Sequence, residues 1–169
     1  MTCPNRIWLN DGTGRFTDSG QVLDEGTRHI HDIALGDVDG DGDADLVVGM
    51  TEAPWARIYR NDGRGCFIKS GTFGSSWIDC LAPGDLDGDG ATDFFIGGGF
   101  SNKPSEVWIN DGRGNFRNGG TQLSVASNAA LGDFNRDGRL DIFAVSIDQQ
   151  SKIPRGRPVK VYLNTTHGK

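Results

Sequence analysis

Short apolar runs alternate with polar, glycine-rich turns along the whole chain. Ile33 to Gly36 leads into a turn crowded with aspartate, and Leu46 to Gly49 leads out of it. Apolar runs of this length bounded by Gly and Asp read as β-strands rather than helices. After a variable stretch comes an apolar-rich strand ending in Asn-Asp-Gly-x-Gly, the composition of a hairpin turn, and then a last strand opening with Phe. Four short antiparallel strands are predicted per unit.

The unit repeats. The turn "GDVDGDGDADLVVG" from Gly36 returns as "GDLDGDGATDFFIG" from Gly84 and as "GDFNRDGRLDIFAV" from Gly132, so its first Asp falls at Asp37, Asp85 and Asp133, 48 residues apart each time. The hairpin element recurs as "RIWLNDGTGRF" from Arg6, "RIYRNDGRGCF" from Arg57, "EVWINDGRGNF" from Glu106 and the broken copy "KVYLNTTHGK" from Lys160. Four antiparallel strands in a period of about 50 residues are the signature of a propeller blade. The expected fold is all-β, a β-propeller segment forming a single repeat domain over residues 1–169. Outer strands of a partial blade are expected over 1–29, whole blades over 30–77 and 78–125, and a partial blade over 126–169. That is about three blades, where closed propellers have about 4 to 8. Either the chain is part of a longer propeller or copies associate, a two-fold dimer giving six blades with one surplus strand at each junction.

Composition supports this reading and narrows the partners. Twenty-six Gly against two Met favour turns over helices. A formal net charge of -6 disfavours nucleic acid and anionic lipid as general partners. No apolar run approaches the ~20 residues of a membrane helix, so membrane insertion is not expected. The opening "MTCPNRIWLND" lacks the regions of a secretory signal. Cys3, Cys66 and Cys80 have no zinc-ligand spacing, and an odd number cannot all pair within one chain.

The aspartates themselves need neutralising. Each turn reads D-x-[DN]-x-D-G-x-x-D, with oxygen-bearing side chains at positions 1, 3, 5 and 9 and Gly at 6 for the bend. The candidate ligands are Asp37, Asp39, Asp41 and Asp45; Asp85, Asp87, Asp89 and Asp93; and Asp133, Asn135, Asp137 and Asp141. Position 7, occupied by Asp43, Ala91 and Arg139, would offer a backbone carbonyl and leave its side chain free. Hard oxygen donors at alternate positions suit Ca²⁺, up to three ions per chain, better than Mg²⁺ or zinc. An EF-hand would carry Glu at position 12, where these loops have Val48, Ile96 and Ala144. The third loop has Asn135 in place of an Asp and Arg136 and Arg139 alongside, so the weakest binding is expected there.

At these residues the chain resembles the FG-GAP or VCBS-type repeats of calcium-binding β-propellers, the class that includes the integrin α-subunit propeller. The resemblance runs from Arg6 to about Asn164 and implies calcium in the loop joining the first two strands of each blade. It also implies an extracellular or cell-surface setting and a role in adhesion or ligand binding. The "GAP" end of the motif is replaced by "GMT", "GGG" and "AVS", and only Phe73-Gly74 matches its "FG" start. The likeness therefore lies in the metal loops and not in integrin-specific features.

The expected function is non-catalytic binding of a protein or carbohydrate, with calcium as a structural clamp. The alternative is a lectin-like module or an accessory part of a polysaccharide-degrading enzyme. Trp55 and Trp77 lie outside the repeated pattern and are the candidate ligand contacts, to be weighed against ordinary packing. The basic stretch Lys152 to Arg157 is a further candidate. Trp8, Tyr59, Trp108 and Tyr162 share one repeated position and are expected to pack between blades. His29 and His31 beside Asp32 lack a third metal ligand, and Asn164-Thr165-Thr166 is a glycosylation sequon.

Overall fold

The strands stack in four antiparallel sheets, each made of consecutive strands. The structure is a computed structural model describing residues 5–23, 30–53, 55–99, 102–146 and 159–165. Cys3, His29 and Lys152 to Arg157 lie outside the described residues. The first sheet is the hairpin β1 (Asn5–Asn10) and β2 (Phe16–Leu23). The second runs β3 (Ile30–Gly36), β4 (Asp45–Met50), β5 (Ala56–Asn61) and β6 (Phe67–Phe73). The third repeats it with β7 (Cys80–Gly84), β8 (Asp93–Gly98), β9 (Lys103–Asn110) and β10 (Phe116–Leu123). The fourth holds β11 (Asn128–Gly132), β12 (Asp141–Val145) and β13 (Lys160–Tyr162). The described residues contain these thirteen strands and no helix, as the strand pattern predicts.

Strand periodicity explains the stacking. Successive side chains of a strand point to opposite faces, so a strand apolar throughout must be covered on both. Leu46, Val48 and Met50 of β4 pack with Leu23 and Tyr59 toward the β1–β2 hairpin, while Val47 points the other way. Val47, Ala34 and Ile58 meet Leu81, Phe94 and Ile96 in the seam between the second and third sheets. Phe95 and Ala82 then meet Ile142 and Ala144 in the next seam. Phe73, Phe94, Trp108 and Phe116 fill the outer part of the middle seam, Phe73 stacking on Phe116 at 4.2 Å between ring centres.

The leading strands are neighbours, β3 lying against β7 and β7 against β11. Asp32 fixes the first of these contacts, its Oδ2 accepting the Leu81 N–H at 2.7 Å. Because every sheet is a meander, one end of the stack carries the loops 37–44, 85–92 and 133–140 together with the Asn-Asp-Gly turns. Residues 51–53, Trp55 and the segment 74–79 lie at the other end.

The shared aromatic position behaves differently at its first copy. Tyr59 is buried, and Trp108 and Tyr162 are partly covered by neighbouring sheets. Trp8 is 57% exposed, because among the described residues no further sheet lies against the outer face of β1.

Candidate metal sites

Each acidic loop is folded by its own first carboxylate. Asp37 accepts the N–H groups of Gly40 at 2.7 Å and Gly42 at 2.9 Å, and Asp85 accepts those of Gly88 at 2.7 Å and Gly90 at 2.9 Å. Asp133 does the same toward Asp137 and Gly138. Position 5 closes a tighter turn: Asp41, Asp89 and Asp137 accept the N–H of Asp43, Ala91 and Arg139. The glycines permit the winding, with φ of 81° at Gly40 and 83° at Gly88. The third loop has Arg136 at that place with φ 63°, a conformation that an L side chain adopts only with strain.

Position 9 does a second job. Asp45, Asp93 and Asp141 are fully buried, and each ties its loop to the end of the third strand of its sheet or, for Asp141, to the residues just after it. Asp45 accepts from Val38 N–H at 2.9 Å and Asn61 N–H at 2.8 Å. Asp93 accepts from Leu86 and Asn110, both at 2.8 Å. Asp141 accepts from Phe134 at 3.0 Å and Asn164 at 2.7 Å. Buried carboxylates held this way resist replacement, since an unpaired buried donor costs about 1–3 kcal/mol.

Position 3 is left over. Oδ1 of Asp39 and Oδ1 of Asp87 are buried and accept no hydrogen bond. Oδ2 of Asp39 pairs with Arg60 Nε at 3.1 Å, and the Arg60 Nη2 also donates to the Arg113 carbonyl at 2.7 Å on the next sheet. Burial, with the neighbouring charges of Asp45 and Asp41, pushes the Asp39 carboxyl above the usual carboxylate range. Asp87 is raised by burial and then by Asp89 and Asp85, and Asp93 chiefly by burial. Asp133, by contrast, is lowered, first by the Gly138 N–H.

The carboxylates converge in two of the three loops. Oxygens of Asp37, Asp39 and Asp45 lie within 4.8 Å of one another, as do those of Asp85, Asp87 and Asp89. An all-oxygen, anionic donor set with a buried, unbonded oxygen in each group fits a hard metal cation. No such group of three acids forms at the third loop among the described residues. There Asn135 donates to Asp137 at 2.8 Å, and the Arg139 guanidinium pairs with the same carboxylate. Arg139 also donates through Nε to the Asn164 carbonyl at 3.0 Å. The side chain at position 7, expected to be free, is therefore engaged, because a guanidinium reaches the carboxylate two residues before it. Asp43 and Ala91, its counterparts, stand beside converged clusters.

Two participants were not read from the sequence as part of the site. Arg60 is one; its repeat positions are Ile109 and Leu163, so nothing periodic marks it. The asparagine of each Asn-Asp-Gly turn is the other. Asn110 Nδ2 donates to the Val38 carbonyl of the preceding loop at 2.8 Å, and Asn164 Nδ2 to the Leu86 carbonyl at 2.8 Å. The signal was present, since Asn164 survives even where the turn motif is broken. The sequon asparagine is thus half-buried with its amide in use.

The candidate ligand tryptophans lie at the opposite end. Trp55 is half-buried against the middle seam. Trp77 is half-buried with its ring edge-on to His31 at 5.7 Å, and His31 Nδ1 lies 3.4 Å from Asp79 Oδ1. Cys66 and Cys80 are free thiols, that of Cys80 pushed up to about 12 mainly by burial.

Residues 3–48 and 85–144 match the FG-GAP-like repeat, which together is more than half of the chain. The chain belongs to the FG-GAP-like repeat family. No curated protein sequence matches it.

Proposed function

We propose that the chain is a calcium-binding, non-catalytic module of β-propeller type that recognises a protein or carbohydrate outside the cell. The observation that carries the metal reading is the pair of buried, unbonded oxygens on Asp39 and Asp87, each inside a cluster of like charges. Burying such a group without a counter-ion costs several kcal/mol in effective terms, and a divalent cation removes that cost. Calcium suits the site because its flexible coordination of six to eight oxygens accepts carboxylates that also serve as loop hydrogen-bond acceptors. Packing of successive four-stranded meanders through adjacent leading strands supports the propeller reading. Calcium would clamp the loop end, leaving the end with Trp55 and Trp77 for ligand contact.

Calorimetric titration of the EDTA-stripped protein tests the metal reading. Two comparably tight sites per chain are expected, at the first two loops, with a third much weaker. Asp39→Asn and Asp87→Asn should each remove one tight site, and Arg139→Ala should tighten the third by freeing Asp137. Absence of calcium binding at millimolar concentration, or Mg²⁺ binding as tightly as Ca²⁺, would reject the proposal.

A further inference from the structure

The seams between sheets are built from repeated positions, which makes their end copies informative. On the face toward the following sheet, the second sheet uses Val38, Val47 and Ile58, all at most 2% exposed. The third sheet uses Leu86, Phe95 and Val107 at the same repeat positions. In the fourth sheet these positions are Phe134, Phe143 and Val161, which are 50%, 38% and 50% exposed. The opposite faces show the converse. Leu81 of β7 and Ala129 and Leu131 of β11 pack into seams, whereas their counterparts Ile33 and Leu35 in β3 are 61% and 59% exposed. Two seam faces of opposite kind are therefore present, and neither is covered by the described residues.

The gaps match as well. Over Ile33 and Leu35, beside the free edge of β1, lies a groove of about 540 Å³ where the hairpin sheet lacks two inner strands. Beside Tyr162, over Ile109 and Leu123, lies a second groove of about 350 Å³ where the fourth sheet lacks an outer strand. The hairpin has the two outer strands, and β11–β12 are two inner ones. Moreover, β1 carries Arg6-Ile7-Trp8-Leu9-Asn10 where β13 and the two residues after it read Lys160-Val161-Tyr162-Leu163-Asn164, a like-for-like match at all five positions.

We infer that two copies of this chain close on each other by strand exchange, β1 of one copy displacing β13 from β12 of the other. β13 holds β12 through Ile142↔Tyr162, Phe143↔Val161 and Ala144↔Lys160. The incoming strand pairs Trp8, Ile7 and Arg6 with those same three residues. It brings β2 into the second groove, and the partner's β11–β12 enters the first. Each junction sheet then has four strands, and the surplus strand expected from the sequence is the one released. The contact is head-to-tail and, repeated twice, closes a ring. Ile33, Leu35 and Phe143 become buried in one seam, and Trp8, in the place of Tyr162, in the seam on the other face of the junction sheet. Exchanged elements of near-identical sequence make such a dimer cheap to form. The inference rests on the seams and not on bound metal, so a failed calcium titration leaves it standing.

Light scattering at micromolar concentration tests it. The wild type is expected at twice the 18.2 kDa of the chain. Phe143→Asp and Ile33→Asp should each give monomer. An equimolar mixture of the two should regain dimer, because one undamaged face of each kind remains and a head-to-tail junction needs only that pair. Val161→Asp should leave the dimer intact or strengthen it, since the exchange expels β13 from the seam. Monomeric wild type would overturn the inference whatever the variants do. So would a dimer untouched by either of the first two substitutions, or one broken equally by Val161→Asp.

Discussion

Asp87 shows how one carboxylate can oppose the fold and serve it. Its folded-state pKa is raised by burial and by Asp89 and Asp85, so in the metal-free protein at neutral pH its charge subtracts from stability. A raised carboxylate pKa means that this loss is present above the folded value and fades as pH falls through it toward the unfolded value. A bound cation reverses the sign. Asp87→Asn is therefore expected to raise the melting temperature in EDTA and to lower it in saturating calcium, each kcal/mol appearing as about 2–4 °C for a chain of this size. The gain in EDTA should shrink as pH is lowered from 7 toward the carboxylate range. Melting curves of wild type and variant under both conditions check this, and shifts of the same sign in both would contradict it. Asp93 offers the contrast within the same loop, because both its oxygens already hold backbone N–H groups and its removal should destabilise with or without metal.

At the scale of the element, the seams set the tolerance of each strand. A Cβ on Gly97 of β8 would stand 2.7 Å from the Ala126 carbonyl oxygen, and one on Gly49 of β4 would stand 2.6 Å from Ile78 Cγ2. A backbone atom, here in the segment between β10 and β11, yields only if the chain moves, whereas a side chain can shift. Both Gly→Ala changes overpack a seam, at about 1–3 kcal/mol each, and Gly97→Ala should be the more costly in urea denaturation. Equal costs would mean that the strands slide freely past one another. The strands were legible in the sequence because apolar runs and Asn-Asp-Gly turns repeat with fixed spacing. The acidic loops were legible because carboxylates at alternate positions are rare without a purpose. What was not legible is side-chain reach. Asn110 crosses to Val38 on the neighbouring sheet, Arg60 folds onto Asp39 from another strand of its own sheet, and Arg139 turns back onto Asp137 in its own loop, and one-dimensional spacing encodes none of these. The double role of Asp45, Asp93 and Asp141 was likewise hidden, since a metal ligand and a backbone clamp look alike in sequence.

Over the whole molecule, stability should be graded along the stack, because the main contacts between the described sheets join successive ones. The second and third sheets are covered on both faces at β4 and β8, which are buried at every residue, while β3 is open at Ile33 and Leu35. The hairpin and the fourth sheet each have one face open, exposing Trp8 and Phe16 on one side and Phe134 and Phe143 on the other. Hydrogen exchange reports such gradients, since amides open with free energies that follow local burial. The slowest exchange is expected in β4 and β8, faster exchange in β11 and β12, and the fastest in β1 and β2, which are held by one partner strand each. Two ties should modify the gradient. Calcium should slow exchange in the loops 37–44 and 85–92 and, through Asn110 on Val38, carry protection from the first loop into β9. Raising the protein concentration should selectively slow β1, β2, β11 and β12, the strands joined at the exchanged junctions, while leaving β4 and β8 unchanged. Protection independent of concentration in those four strands would mean that the open faces meet no second copy, and uniform exchange in β4 and β12 would mean that the seams do not set stability at all.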